Sequence, residues 1–198
     1  MTVVDGRGVG KHWSGDVGLA PVDFDVAARS MVCVKGRSGS GKSTLLALLG
    51  DLAPADHGSL DWRSLDAEAR ATWRVVALVP QTMLLLSELT AMENVLLAGG
   101  SPLDALALFD RLDLSGLGGR MIDMLSMGQR QRVAVARAVI AGASLVLADE
   151  PTSHQDAVSA QHVLEVLRDT ANRGAAVVIA SHDPAVIAAC DAIIDLDR

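Results

Sequence analysis

The sequence predicts an α/β fold: a mostly parallel sheet with helices on both faces, a small antiparallel β subdomain beside it and an inserted α-helical subdomain. Three observations predict it. Short apolar runs of strand length alternate with longer helical patterns, the signature of strands joined by helical crossovers. A glycine-rich loop, 36–41, sits between one such run and a helix. One stretch, 82–125, carries helical patterns with no strand between them.

Taken in order, the region up to Arg29, together with 58–62, is rich in alternation, glycine and aspartate, which suits short antiparallel strands. Met31–Lys35 reads as a buried strand feeding the loop, after which 43–49 reads as a helix ended by Gly50. Further strands are expected at 75–79, 144–148, 175–180 and 192–196. In the helical stretch, Thr90 with Glu93 three residues on, and Ser101 followed by Pro102, mark helix starts. Asp156 is placed to cap a helix running to Asn172 with Gly174 beyond, and Asp183-Pro184 opens another. The expectation is one domain over 1–198, with 1–81 and 141–198 as its core and 82–140 as the helical part.

Composition narrows the function. The net charge is -7 and the 17 basic residues are spread along the chain, which argues against nucleic acid as a partner. The longest uncharged stretch, 75–87 with Pro80 and Gln81 inside it, falls short of the roughly 18 residues a membrane span needs. No signal-peptide pattern opens the chain, and the two cysteines, Cys33 and Cys190, have no metal-ligand spacing. A reducing cytosol fits these features.

Gly36-Arg37-Ser38-Gly39-Ser40-Gly41-Lys42-Ser43 fits G-x-x-x-x-G-K-[ST] between a strand and a helix. Glycines let successive N–H groups turn towards phosphates, and the helix dipole adds positive potential. In that arrangement Lys42 neutralises the β- and γ-phosphates, Ser43 ligates Mg²⁺ and Thr44 touches the α-phosphate. From average residue usage a chance match in such a chain is on the order of one in a hundred, so the loop outweighs an incidental Gly/Ser turn. The run 145–148 then ends in Asp149 and Glu150. Two acids at the tip of a buried strand imply a cation there: Asp149 as the Mg²⁺ holder, Glu150 as the group that orients or deprotonates an attacking water.

Leu125-Ser126-Met127-Gly128-Gln129, leading into a helix, resembles the signature L-S-G-G-Q of the ABC ATPases. Ser126 is placed to cap that helix and Gln129 to complete a capping box, leaving N–H groups for an anion. The resemblance covers nearly the whole chain and adds three elements in the family's order. Gln81 matches the glutamine that contacts Mg²⁺ and the attacking water. Ser153-His154-Gln155-Asp156 stands where an interface loop usually written S-A-L-D lies. His182 matches the switch histidine that contacts the γ-phosphate.

The resemblance implies a RecA-like P-loop NTPase core that binds ATP with Mg²⁺ and hydrolyses it, with Gln81, Lys42, Glu150 and His182 catalytic. It implies a nucleotide-sandwich dimer in which Ser126, Gly128 and Gln129 of one copy close on ATP held by the other. It further implies an integral-membrane permease as partner, and hence a cytoplasmic protein peripheral on the inner face of the cell membrane. Leu89-Thr90-Ala91-Met92-Glu93-Asn94-Val95 and 148–152 look most like lipoprotein-release, macrolide-export and haem-export ATPases, so the expected cargo is hydrophobic or amphipathic. Met83, Leu84, Leu85, Leu86 and Leu89 are expected to cradle a permease helix, with about half of them serving as core instead.

The chain departs from the family at three places. Met127 replaces a glycine, which would matter if the backbone there needs a positive φ. His154 and Gln155 alter the interface loop. With no tyrosine in the chain, Trp13 is the candidate for stacking on adenine and His12 the runner-up. Two alternatives stand beside the transporter reading. A chromosome-type or translation ATPase would carry a long coiled coil or a second cassette, whereas 44 residues separate Gln81 from Ser126 here. A weakly catalytic regulatory module is the other; intact Lys42, Asp149, Glu150 and His182 argue against it.

Overall fold

A computed structural model describes residues 1–14, 17–63 and 75–197. Its main sheet contains five parallel strands in the order β5-β6-β7-β3-β8: β3 (Met31–Lys35), β5 (Val76–Val79), β6 (Leu145–Asp149), β7 (Ala176–Ala180) and β8 (Ala192–Asp195). The central strands β6 and β7 are buried at every residue, as expected of a parallel sheet covered on both faces.

The two faces use alternate residues of the same strands. Val146 and Ala148 of β6 pack with Val177 and Ile179 of β7 into one cluster, which takes in Val133 and Phe109. Leu145 and Leu147, with Val178, pack on the other side with Leu45, Leu48, Phe24 and Val4. This period of two is why a continuous apolar run can fill two cores. The second face is covered by α1 (Lys42–Leu49) and by an antiparallel sheet in the order β2-β1-β4, made of β1 (Thr2–Ser14), β2 (Val17–Ala27) and β4 (His57–Asp61). The antiparallel subdomain expected from the N-terminal alternation is therefore present.

The first face is covered by helices. After β5 come α2 (Ala91–Leu96), α3 (Pro102–Arg111), a 3-10 turn (Ile122–Met124) and α4 (Met127–Ile140). Each of the three α-helices starts at a reciprocal cap: Thr90 with Glu93, Ser101 with Asp104, Ser126 with Gln129. Such a cap contributes about 1 kcal/mol, enough to set where a short helix begins. One bridge, Thr90 to Met121, runs through this otherwise helical region. Beyond β6, α5 (Ala157–Asn172) is capped by the Asp156 carboxylate, which accepts from the Val158 and Ser159 amides. Those bonds hold the Asp156 pKa below the ordinary carboxylate value. The last helix is α6 (Pro184–Ala189). No helix of the described residues is long and apolar enough to cross a membrane.

The segment 82–90 is not helical. Two polar side chains brace it: fully buried Asn94 donates to the carbonyls of Leu86 and Thr90 at 2.9 and 3.0 Å and accepts from the Leu86 amide at 2.8 Å. Arg137 donates to the carbonyls of Leu84 and Met83 at 2.8 and 2.9 Å. Met83 and Leu85 turn towards the core, while Leu84 and Leu86 stay exposed at 66% and 48%. The division between core and surface expected for these apolar residues is realised in alternation along the loop.

Candidate functional site: a nucleotide-binding edge

Parallel strands deliver their carboxyl ends to one edge of a sheet. Here β3 ends at Lys35 beside Gly36, β6 at Asp149, β7 at Ala180 before Ser181-His182, and β5 at Val79, two residues before Gln81. Since these strands are neighbours, the sheet order alone brings four sequence motifs, separated by up to a hundred residues and more, to a common edge.

The loop 36–41 turns through left-handed backbone at Gly39 (φ 81°) and Gly41 (φ 98°). A Cβ on Gly41 would also lie 2.6 Å from the Gly18 carbonyl, so glycine is required there on two counts. Helix α1 starts directly after Gly41 without a side-chain cap, which leaves the first-turn N–H groups to serve an anion. Lys42 Nζ donates to the Gly36 and Arg37 carbonyls at 2.7 and 3.0 Å, so its charge lies along the loop. Arg37 is tied outward, its backbone N–H and Nε donating to Asp197 at 2.9 and 3.3 Å. Ser38 is exposed, and the Ser40 hydroxyl is buried against Gly36 with no partner among the described residues.

Ser43 Oγ donates to Asp149 Oδ2 at 2.6 Å. Burial raises the Asp149 pKa, the Ser43 hydrogen bond opposes this, nearby Glu150 reinforces it and Lys42 opposes it. A carboxylate that has lost its water in this way gains most from a cation. One hydroxyl and one carboxylate side by side are hard oxygen donors that suit Mg²⁺ completed by phosphate oxygens and water.

Glu150 adopts φ 47°, an uncommon conformation for a residue with a Cβ. Its amide donates to the Ala180 carbonyl at 2.9 Å, and Gln131 of α4, buried at 1% exposure, reaches its carbonyl at 3.4 Å. Its carboxylate accepts from the Ser181 hydroxyl at 2.8 Å and lies 2.7 Å from His182 Nδ1. In this conformation the carboxylate rests on the residues that follow β7. Ser181 and Gln131 were not singled out from sequence; the only signal for Ser181 was its position beside His182.

Trp13 is half exposed, and its indole Nε1 donates to Thr44 Oγ1 at 3.1 Å, with Lys11 Nζ 5.1 Å over the ring. The indole therefore stands beside the first turn of α1. His12 is exposed, and its backbone N–H donates to Asp56 at 2.8 Å.

At the signature, Ser126 and Gln129 exchange the expected bonds at 3.2 and 2.9 Å. Met127 is the first residue of α4 and has no positive φ, so the conformational demand entertained for a glycine there does not arise. The demand lies one residue on: a Cβ on Gly128 would come within 2.9 Å of the His154 carbonyl. Signature helix and interface loop are thus packed together within one chain, a contact the sequence did not announce. His154 itself has φ 61°, and Gln155 donates to the Pro151 carbonyl at 3.1 Å. No hydrogen bond joins Ser126, Gly128 or Gln129 to the loop 36–41 among the described residues. The structure brings together Lys42, Ser43, Asp149, Glu150 and His182, with Trp13 and Thr44 at one side and exposed Gln81 after β5.

The family model described as ABC transporter matches residues 19–153. This chain belongs to the ABC transporter family. It supplies that family's ATP-binding domain. It is similar to the macrolide export ATP-binding/permease protein MacB of Bradyrhizobium diazoefficiens, at 41% identity over 194 residues, covering 90% of this chain and 30% of that protein. An uncharacterised ABC transporter ATP-binding protein of Mycobacterium tuberculosis is 38% identical over 204 residues, covering 94% of this chain and 62% of the relative. Among solved structures, a dimeric ATP-binding cassette in a post-hydrolysis state with ADP and Pi matches with a TM-score of 0.85 at 28% identity, covering 98% of this chain and 94% of that one. The chain spans about 30% of the length of the macrolide-export relatives. The ABC fold is therefore the α/β architecture read from the sequence: five parallel strands, flanking helices and an antiparallel subdomain.

Proposed function

We propose that this ABC domain binds ATP at the edge formed by β3, β6 and β7, hydrolyses it to ADP and phosphate, and drives a membrane permease. One observation carries the reading: Ser43, Asp149, Glu150 and His182 form two adjoining polar pairs at 2.6 and 2.7 Å directly beside Lys42.

The roles follow from the chemistry of each group. The Gly36–Gly41 backbone and Lys42 take the β- and γ-phosphates, and the Trp13 indole offers a face for adenine. Ser43 and Asp149, with Gln81 from the neighbouring strand end, would hold Mg²⁺, which neutralises charge on the phosphate oxygens. Glu150 polarises the attacking water, since its carboxylate is oriented by two partners, Ser181 and His182. His182, exposed and bonded to that carboxylate, holds it in place and contacts the γ-phosphate.

Two copies form a nucleotide sandwich, Ser126, Gly128 and Gln129 of one closing on ATP held by the other; the likeness to a dimeric cassette supports this. The exposed pair Leu84 and Leu86 on the braced loop suits a short permease helix. Through that permease the domain is peripheral on the cytoplasmic face of the membrane. Similarity to MacB-type proteins supports export of a hydrophobic or amphipathic cargo. A purely regulatory ATP-binding role is disfavoured, because the helical backbone at Met127 removes the main reason for doubting turnover.

The test is phosphate release from Mg²⁺-ATP by the wild-type chain and by Lys42→Ala. Loss of one preorganised charge from a phosphate site costs about 100-fold or more. Equal ATP affinity in the two proteins, with the variant folded by circular dichroism, overturns the assignment.

A further inference from the structure

Strands β3 and β8 run parallel in register, Lys35 opposite Asp195, and the Leu196 amide donates to the Lys35 carbonyl at 2.8 Å. In a continued ladder the next bond would run from the Arg37 amide to the Leu196 carbonyl. That amide donates instead to Asp197 Oδ1, at 2.9 Å. A carboxylate has taken over the rung, so β3 leaves the sheet for the phosphate loop with its first backbone donor satisfied.

The other end of the same peptide unit holds the lysine. The Arg37 N–H and the Gly36 carbonyl belong to one planar group, and that carbonyl accepts from Lys42 Nζ at 2.7 Å. Asp197 and Lys42 therefore grip a single peptide from opposite ends. An anion on the N–H polarises the carbonyl and strengthens its hold on the ammonium. An ammonium has three donors; the Gly36 and Arg37 carbonyls take two of them, which aims the third. Asp197 is itself held in place: its amide donates to Asp195 Oδ1 at 3.0 Å, and Lys35 Nζ reaches Asp195 Oδ2 at 3.4 Å. The exposed Arg37 guanidinium lies 3.3 Å from the same Asp197 oxygen and offsets part of its charge.

We propose, on the reading of 36–43 as the phosphate site, that Asp197 is a positioning residue for nucleotide binding, which fixes the Gly36–Arg37 peptide and through it the aim of Lys42 at the phosphates. The sign of its effect separates this role from simple electrostatics. A carboxylate near bound phosphates repels them, so its removal tightens ATP binding if charge alone counts. Removal of a positioning contact weakens binding.

Calorimetric titration with Mg²⁺-ATPγS, a slowly hydrolysed analogue, compares the wild-type chain, Asp197→Ala and Asp197→Asn, each checked for its fold by circular dichroism. Asp197→Ala leaves the Arg37 N–H without its acceptor and should raise Kd about 5- to 10-fold. Asp197→Asn keeps an oxygen at the same reach and should restore most of that affinity despite the lost charge. The positioning role is refuted if Asp197→Ala binds as tightly as wild type or more tightly, or if Asp197→Asn is weakened as much as Asp197→Ala. Should Asp197→Ala not fold, Asp197→Asn decides: a Kd near wild type supports positioning, and a clearly lower one, the result of lost charge alone, refutes it. No binding by the wild-type chain would instead refute the phosphate-site reading, and this role with it.

Discussion

The indole Nε1 of Trp13 donates to the hydroxyl of Thr44 at 3.1 Å, joining β1 to the first turn of α1. A base stacked on an aromatic ring gains about 1–3 kcal/mol, so Trp13→Ala should weaken ATP binding by about 5- to 150-fold and leave the fold unchanged. Fluorescence titration also checks the position, because Trp13 should respond to ATP more than Trp62, which lies behind α1 and bonds to the Leu49 carbonyl; Trp73 lies outside the described residues. An undiminished affinity in the variant removes Trp13 from the site.

Glu150→Gln keeps shape and reach but loses the carboxylate that would polarise water. Turnover should drop by about 10²–10⁴-fold, with ATP binding retained. A ligand that binds the closed state better than the open one shifts the population towards it, so a dimer should build up in Mg²⁺-ATP and dissociate in ADP on size exclusion. Wild-type hydrolysis rates in this variant would falsify Glu150 as the catalytic base.

Asp149→Asn separates stability from function. Burial raises the carboxyl pKa in the fold, so the folded state favours the protonated form, and the cost of the carboxylate grows as pH rises from its unfolded value through the raised one. At neutral pH the amide removes that cost while still accepting from Ser43. The Tm without nucleotide should hold or increase, and the thermal shift produced by Mg²⁺-ATP should largely vanish. A Tm that falls clearly below wild type contradicts this account.

Neighbouring signature positions should both lose stability, for different physical reasons. Met127→Gly, at an exposed helical residue, should leave ATPase activity equal or higher, with stability lower by about 1 kcal/mol from glycine's helix propensity. Gly128→Ala forces a methyl group to within 2.9 Å of the His154 carbonyl and should cost about 1–3 kcal/mol. Urea denaturation of both variants is sufficient. A Gly128→Ala variant as stable as wild type or more so, as helix propensity alone would give, would mean that the helix and the loop are not in contact in solution.

Most of the fold was legible because its signals are local. The strands at Met31–Lys35 and 145–149 are apolar runs each ending in one charged residue, and Thr90, Ser101, Ser126 and Asp156 each name their helix start. The loop 36–41 and the acids at 149–150 could likewise be read from residue type and spacing. What escaped are contacts between distant segments. Ser181 holding Glu150, Gln131 under its carbonyl, and Gly128 against His154 depend on which strands are neighbours and how α4 lies on them. The 82–90 loop was missed as a shape for a similar reason: an apolar sequence cannot reveal that Asn94 and Arg137 will satisfy its backbone.

That bracing lowers an entropy cost. A binding loop that is free in solution must lose its mobility at each encounter, and this entropy is subtracted from the affinity. The carbonyls of Met83, Leu84 and Leu86 are already engaged by Arg137 and Asn94, so the side chains of Leu84 and Leu86 are displayed on a scaffold that does not have to be organised on contact. Because Arg137 is a residue of α4, the helix capped by Ser126, the loop that displays those leucines is tied directly to the signature helix.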